Sequence, residues 1–247
     1  MVNQFSRTEL LIGKEGLEKL KRAKVAIFGI GGVGSFVVEA LVRAGVYHFV
    51  LIDHDRVSLS NLNRQLIATR KTIGEYKVDV MKERILQINP YATVEVIKQF
   101  YMPDTAENFL DDSYSYIIDA IDTVTAKLSL VEEANKRNIP IISSMGTGNK
   151  IHPELLEITD IYKTSVCPLA KVMRQNLRKR GIKKLTVVYS KEEPIKIKEE
   201  EIEKAKQETV QQNGEVISGK KAVPGSISFV PGTAGLIIAG KVIRDLI

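Results

Sequence analysis

Apolar positions along the first 145 residues follow two alternating periods. Short β-branched runs at Lys24–Gly29, Tyr47–Asp53, Thr93–Lys98, Tyr116–Ala120 and Ile139–Ser143 read as strands, several apolar on both faces as buried parallel strands are. Between them Val33, Val37, Ala40, Leu41 and Ala44 recur at helical spacing, as do Val78, Met81, Ile85 and Ile88. This alternation predicts an α/β fold built on a doubly wound, mostly parallel sheet covered by crossover helices. Beyond Met145 the pattern loosens. Strands are predicted at Leu155–Thr159 and Leu185–Tyr189, around a basic helix at Pro168–Lys179, as a C-terminal extension of the same sheet. Ser190–Gln212 is highly charged with few large apolar groups, which predicts a mobile charged loop reaching to about residue 222.

The last apolar stretch, Pro231–Ile247, is interrupted by Lys241, Arg244 and Asp245. It is shorter than the roughly 20 apolar residues a membrane span requires, so a buried or dimer-facing helix is expected and no stable membrane insertion. The N-terminus has neither the apolar run nor the cleavage site of a secretory signal. With 247 residues, 44% of them hydrophobic and 27% charged, the chain is long enough for one elaborated domain with a substantial core. Its single cysteine, Cys167, excludes an intrachain disulfide framework and a four-cysteine zinc site, and fits a cytoplasmic protein. His48, His54 and His152 are isolated, with no spacing that would support a transition-metal site.

Charge is concentrated in one place. The formal net charge is +6, yet the stretch from Lys163 to Lys184 carries eight basic residues and no acid, so the remainder of the chain is slightly acidic. Lys171, Arg174, Arg178, Lys179, Arg180, Lys183 and Lys184 form a localised patch of the kind that meets a polyanion. On charge alone, a solvated helix face explains it equally well.

The first strand runs directly into Gly29-Ile-Gly-Gly-Val-Gly34, which opens the first helical pattern. In that context G-x-G-x-x-G is a Rossmann-like phosphate turn: Gly29 for the tight turn, Gly31 and its neighbour Gly32 for backbone approach to a phosphate, and Gly34 for close packing of helix on strand. Asp53 ends the second strand, where an acid grips a ribose hydroxyl, and this much would suit NAD as well as ATP. Three further groups separate the two. Arg64 supplies a planar fork, Lys77 a point charge at the start of a helix, and Asp122 a carboxylate just after the fourth strand. A triphosphate with Mg2+ requires cations on its outer phosphates and a carboxylate for the metal. Gly29, Asp53 and Asp122 all lie at or just beyond strand carboxyl ends, which line the crevice of an open parallel sheet.

The run GIGGVGSFVVEALVRAGVYHFVLIDHDRVSLSNLNRQ, with Gly74-Glu-Tyr-Lys77 and Asp119-Ala-Ile-Asp122, resembles the ubiquitin-activating-enzyme-like superfamily of ThiF, MoeB and HesA type adenylating proteins. The resemblance implies that Asp53 and Asn61 hold the nucleotide, Arg64 and Lys77 its phosphates, and Asp122 magnesium. Asp55, Ser60 and Gln65, in the same stretch, are further candidates for nucleotide contact. Arg7, otherwise a tail residue, resembles an arginine that a dimer partner contributes to the neighbouring site. The reaction implied is attack of a carboxylate on the α-phosphate of ATP, with Arg7, Arg64, Lys77 and Asp122 as the catalytic set.

The second half narrows the branch. SSMGTGNKIHPELLEITD and DIYKTSVCPLAKVMRQNLRKRGIKKLTVVYSKEEP resemble the tRNA threonylcarbamoyladenosine dehydratase subfamily. That resemblance implies an ATP- and Mg2+-dependent homodimer that adenylates the threonylcarbamoyl carboxylate in tRNA and closes it into a ring with net loss of water. It also implies tRNA as a partner of the basic patch, and sulfur-transfer proteins as possible further partners. An intramolecular nucleophile requires no catalytic cysteine, since effective molarities reach the order of 10⁵ M. A single adenylating domain is then expected, with its nucleotide-binding half at about 1–148 and its substrate half at about 149–247. An activator of a ubiquitin-like or sulfur-carrier protein would share every nucleotide residue, and a non-enzymatic nucleotide sensor or NAD module would need neither Arg64 nor Asp122.

Overall fold

In the computed structural model, which describes residues 3–198, 200–201 and 224–247, seven strands form one sheet in the order β3-β2-β1-β4-β5-β7-β6. The strands are β1 (Lys24–Phe28), β2 (His48–Ile52), β3 (Thr93–Ile97), β4 (Tyr116–Asp119), β5 (Ile141–Ser144), β6 (Leu156–Asp160) and β7 (Thr186–Ser190). All pairs are parallel except β6 with β7, the antiparallel extension at the C-terminal edge. The expected α/β Rossmann-like sheet and its extension are therefore both present. β1 and β4 are the buried centre, because Val25, Ala26, Ile27 and Phe28 pair with Tyr116–Asp119 and none of these eight is exposed.

Helices α2 (Gly34–Ala44), α3 (Lys77–Ile88), α4 (Val124–Lys136) and α5 (Pro168–Lys179) cover the faces. The C-terminal helix α6 (Phe229–Leu246) packs along α2, burying Val230, Ala234, Ile238, Ala239 and Val242. Their approach is close: a Cβ at Gly235 would lie 2.5 Å from the Val33 carbonyl oxygen. Among the described residues, no helix is long and apolar enough to cross a membrane.

Two expectations need correction. The N-terminus is no tail: α1 (Ser6–Arg22) is helical, kinked at Gly13 where φ is +71°. The loop expected from Ser190 begins later, because Ser190 is the buried end of β7 and the Glu192 carboxylate accepts the backbone N–H groups of Ile151 and His152. The rest of that expected loop, residues 199 and 202–222, lies outside the described residues.

Candidate functional site

β2 lies on one side of β1 and β4 on the other, so the chain reverses direction across the sheet between β1 and β4. Open α/β sheets bind ligands at such a switch point, beyond the strand carboxyl ends. A cleft of about 330 Å³ opens there, within the range of small-molecule sites. Its wall contains Gly29, Gly31, Gly32, Asp53, Asp55, Asn61, Arg64, Gln65, Lys77 and Asp122, residues separated by up to 93 positions in sequence.

The turn at its base is tightly built. Gly29 has φ +92°, and a Cβ there would come 2.6 Å from the Ala120 carbonyl oxygen. A Cβ on Gly34 would collide with the backbone of Gly29, so this glycine serves the contact of α2 with β1 and does not line the cleft. Ser35 ties the turn down, its hydroxyl donating to the Gly31 carbonyl at 2.7 Å.

Asp53 is buried, and its two carboxylate oxygens accept the N–H groups of Ile30 at 2.7 Å and Asp55 at 2.8 Å. A carboxylate has about four acceptor positions, so capacity for a hydroxyl donor remains. Lys77 begins α3 and is 6% exposed, with Nζ 2.5 Å from Asp55 Oδ2. Asp55 thus anchors this lysine at the cleft wall. Arg64 differs in having no acidic partner among the described residues: its guanidinium donates to the Ser60 carbonyl at 2.9 Å and to Asn63 Oδ1 at 3.0 Å. Burial pulls its pKa below the usual guanidinium range. A half-buried cation facing a cleft, with no acid beside it among the described residues, attracts an anion.

Gln65 is buried with Oε1 lacking a hydrogen-bond donor. Asp122 is exposed at the cleft, its carboxylate touched by the Thr123 hydroxyl at 3.3 Å. This oxygen-only donor suits a hard divalent cation that takes one or two carboxylates and completes its shell with phosphate and water. Asp53, His54 and Asp55 also lie within metal-binding reach of one another, but the carboxylates of Asp53 and Asp55 are already engaged with backbone amides and Lys77.

Ser60 lies outside the cleft wall, exposed and paired with Ser58; its carbonyl, not its side chain, serves the site by holding Arg64. Arg7 is an exposed residue of α1 and does not reach the cleft of its own protomer. The sequence reading missed Gln99, Phe100 and Tyr101 after β3, together with His54, Ser226 and Pro231. The His54 and Phe100 rings meet edge to face at 4.6 Å. Asn63 donates to the Ser226 carbonyl at 2.9 Å, and Asn149 Oδ1 accepts the Gly225 N–H at 2.6 Å, so the segment before α6 is fastened across the cleft.

The basic patch does not present a uniform face. Arg174 is half-buried and spends its guanidinium on the carbonyl and hydroxyl of Thr164, while Arg180 pairs with Glu132 of α4. Lys171, Arg178, Lys179, Lys183 and Lys184 are exposed and pair with no acid among the described residues. Arg178 lies 5.3 Å over the Tyr162 ring. Cys167 is buried at the start of α5.

The ThiF family profile matches residues 5–247. The tRNA threonylcarbamoyladenosine dehydratase of Bacillus subtilis is 49% identical, covering 100% of this chain and 96% of the relative. Crystal structures of the Escherichia coli tRNA N6-threonylcarbamoyladenosine dehydratase align over 98% of this chain and 93% of that one. The AMP complex does so at 31% identity and a TM-score of 0.84, the ATP complex at 32% and 0.83.

Proposed function

The chain belongs to the ThiF family, and from that premise we propose that it is an ATP-dependent enzyme that adenylates the threonylcarbamoyl carboxylate of threonylcarbamoyladenosine in tRNA and cyclises it. The observation that carries this reading is the convergence of Arg64, Lys77 and Asp122 on one cleft at the switch point. The full-length match to a dehydratase of that name, and the lack of any CxxC pair, favour it over activation of a ubiquitin-like or sulfur-carrier protein.

ATP enters with its ribose toward Asp53 and its phosphates along Gly31, Gly32, Arg64 and Lys77. The substrate carboxylate is already ionised at neutral pH, so no protein base is required to activate it. Its oxygen forms a bond to the α-phosphorus as the bond from that phosphorus to the bridging oxygen breaks, and pyrophosphate leaves. Arg64 and Lys77 offset the charge that develops on the leaving group. Asp122 is the residue that would hold magnesium, whose chemistry when bound is to neutralise and orient the phosphates. The carbamoyl part of the same side chain then attacks the adenylated carbonyl, the acyl–oxygen bond to AMP breaks, and the carbamoyl group gives up one proton as the ring closes. The protein's contribution here is orientation and exclusion of water.

The two halves, about 1–148 and 149–247, act together as one adenylating domain, a reading supported by the single sheet that runs through both. tRNA lies along Lys171, Arg178, Lys179, Lys183 and Lys184, which pair with no acid among the described residues and follow a backbone without reading sequence. A homodimer, with Arg7 reaching the partner's cleft, is supported by Leu10 and Leu11 beside it on α1, exposed at 86% and 87%. A sulfur-transfer protein as a further partner is supported by the family resemblance alone. The substrate and the single cysteine support a cytoplasmic site of action.

Pyrophosphate exchange tests the reading. Exchange is expected with threonylcarbamoylated tRNA and not with unmodified tRNA or a carrier protein ending in Gly-Gly. Exchange driven by the carrier protein alone would overturn it.

A further inference from the structure

Behind the cleft, Lys127 of α4 and Asp119 at the end of β4 are both 0% exposed, with Nζ and Oδ2 2.9 Å apart. Neither lines the cleft. A buried ion pair is a weak source of stability, because desolvating two charges offsets most of their attraction and an apolar pair often does as well. The hydrogen bonds around this pair indicate what it accomplishes instead. Asp119 Oδ1 accepts the Ile121 N–H at 3.2 Å, and Lys127 Nζ donates to the Ile121 carbonyl at 3.1 Å. The Ser143 hydroxyl donates to Asp119 Oδ2 at 2.5 Å and fixes the carboxylate from β5. Both backbone polar atoms of Ile121 are thus held by one buried pair. The next residue is Asp122, whose own side chain is touched only by Thr123 among the described residues.

We infer that Lys127 and Asp119 are positioning residues that hold the Ile121 backbone so that the Asp122 carboxylate faces the phosphate end of the cleft as a divalent-cation ligand. The inference rests on the reading of Asp122 as that ligand. Lys127 touches no substrate and acts through the backbone of residue 121. Magnesium demands a near-ideal octahedral shell, so a carboxylate that swings away is lost as a ligand and not merely weakened. Groups that orient metal ligands from behind alter metal affinity by about 10- to 100-fold when removed.

The test compares AMP, which binds without a metal bridge, with ATP in the presence and absence of Mg2+, by calorimetry on the full chain. K127M alone leaves Asp119 buried and unpaired, so the deciding variant is the double substitution D119N/K127M, which removes both charges together. It is expected to bind AMP as the wild type does and to lose about tenfold or more of the Mg2+-dependent gain in ATP affinity. D122N is expected to lose the same gain. In pyrophosphate exchange the double variant should lower kcat and leave KM for tRNA unchanged. If the double variant does not fold, S143A, which retains both charges and removes one hydrogen bond to Asp119, decides by the same split with a smaller loss. A full Mg2+-dependent gain in the variant beside a lost gain in D122N would overturn the inference while leaving the role of Asp122 intact. A full gain in D122N itself would overturn both. Equal losses for AMP and for ATP with Mg2+ would show a merely structural pair.

Discussion

Two alanine substitutions in one turn are expected to separate folding from nucleotide binding. At position 34 a methyl group would stand 3.0 Å from the carbonyl carbon of Gly29 and nearer still to its oxygen. Both are backbone atoms, so relief requires α2 to move off β1, and overpacking of this kind costs about 1–3 kcal/mol. At position 31 the nearest protein atom to such a methyl is Gln65 Nε2 at 3.8 Å, an ordinary distance, and the backbone is not left-handed. G31A therefore costs the fold nothing and restricts the unfolded chain, a gain of about 0.4–1 kcal/mol. In a domain of this size about 1 kcal/mol moves Tm by roughly 2–4 °C. G31A should melt at or slightly above the wild-type temperature without nucleotide, while G34A melts several degrees lower. Because Gly31 lines the cleft, its added methyl stands where the phosphates approach the backbone. Titration calorimetry should show ATP affinity reduced by about tenfold or more, equivalent to about 1.4 kcal/mol. Wild-type ATP affinity in G31A would refute close approach of the phosphates to this turn.

K77M should lower the rate of pyrophosphate exchange by about 10²- to 10³-fold, the loss typical of one transition-state donor. Its Tm should change little, because the Asp55 carboxylate it leaves behind is 49% exposed and stays solvated; near-normal exchange would remove Lys77 from the phosphates. The triple substitution K171E/R178E/K183E should weaken tRNA binding and flatten its dependence on salt by about one unit of slope for each phosphate left without its cation. R174E should instead lower Tm, since Arg174 fastens Thr164 to α5. Burial alone would raise the Glu39 pKa, but hydrogen bonds from Arg84 and Arg43 outweigh it and hold the carboxyl below its usual range. A carboxyl depressed in the folded state stabilises fully above its unfolded pKa and loses that contribution as pH falls through the folded value. E39Q should therefore lower stability by about 1 kcal/mol or less at neutral pH, and match the wild type in acid, when thermal unfolding is followed across pH.

Much of the sheet was legible because buried parallel strands leave unbroken apolar runs. Val25–Phe28 and Phe49–Ile52 are such runs, and the glycine turn and Asp53 follow at their ends. α1 left little trace, since it buries only Gly16 and Leu20 and is interrupted at Gly13, so its apolar spacing is that of a helix facing mostly outward. Gln99, Phe100 and Tyr101 carry no motif; they reach the cleft because β3 pairs with β2 in a register that no local pattern encodes. The run of basic residues showed charge but not engagement. Arg180 is neutralised by Glu132, 48 residues away, a partner that appears only when α4 and α5 pack together. Lys127 and Asp119 likewise look in sequence like a solvated helix charge and a strand end, and only burial shows them to be a pair.

If this cleft spends ATP to activate a carboxylate on tRNA, incubating the purified chain with ATP, Mg2+ and threonylcarbamoylated tRNA, and weighing by mass spectrometry the nucleoside released by digestion, will show it. The expected product is a nucleoside lighter by one water, appearing together with AMP and pyrophosphate and only when ATP is present. An unchanged mass, or the same mass loss without ATP, would contradict it.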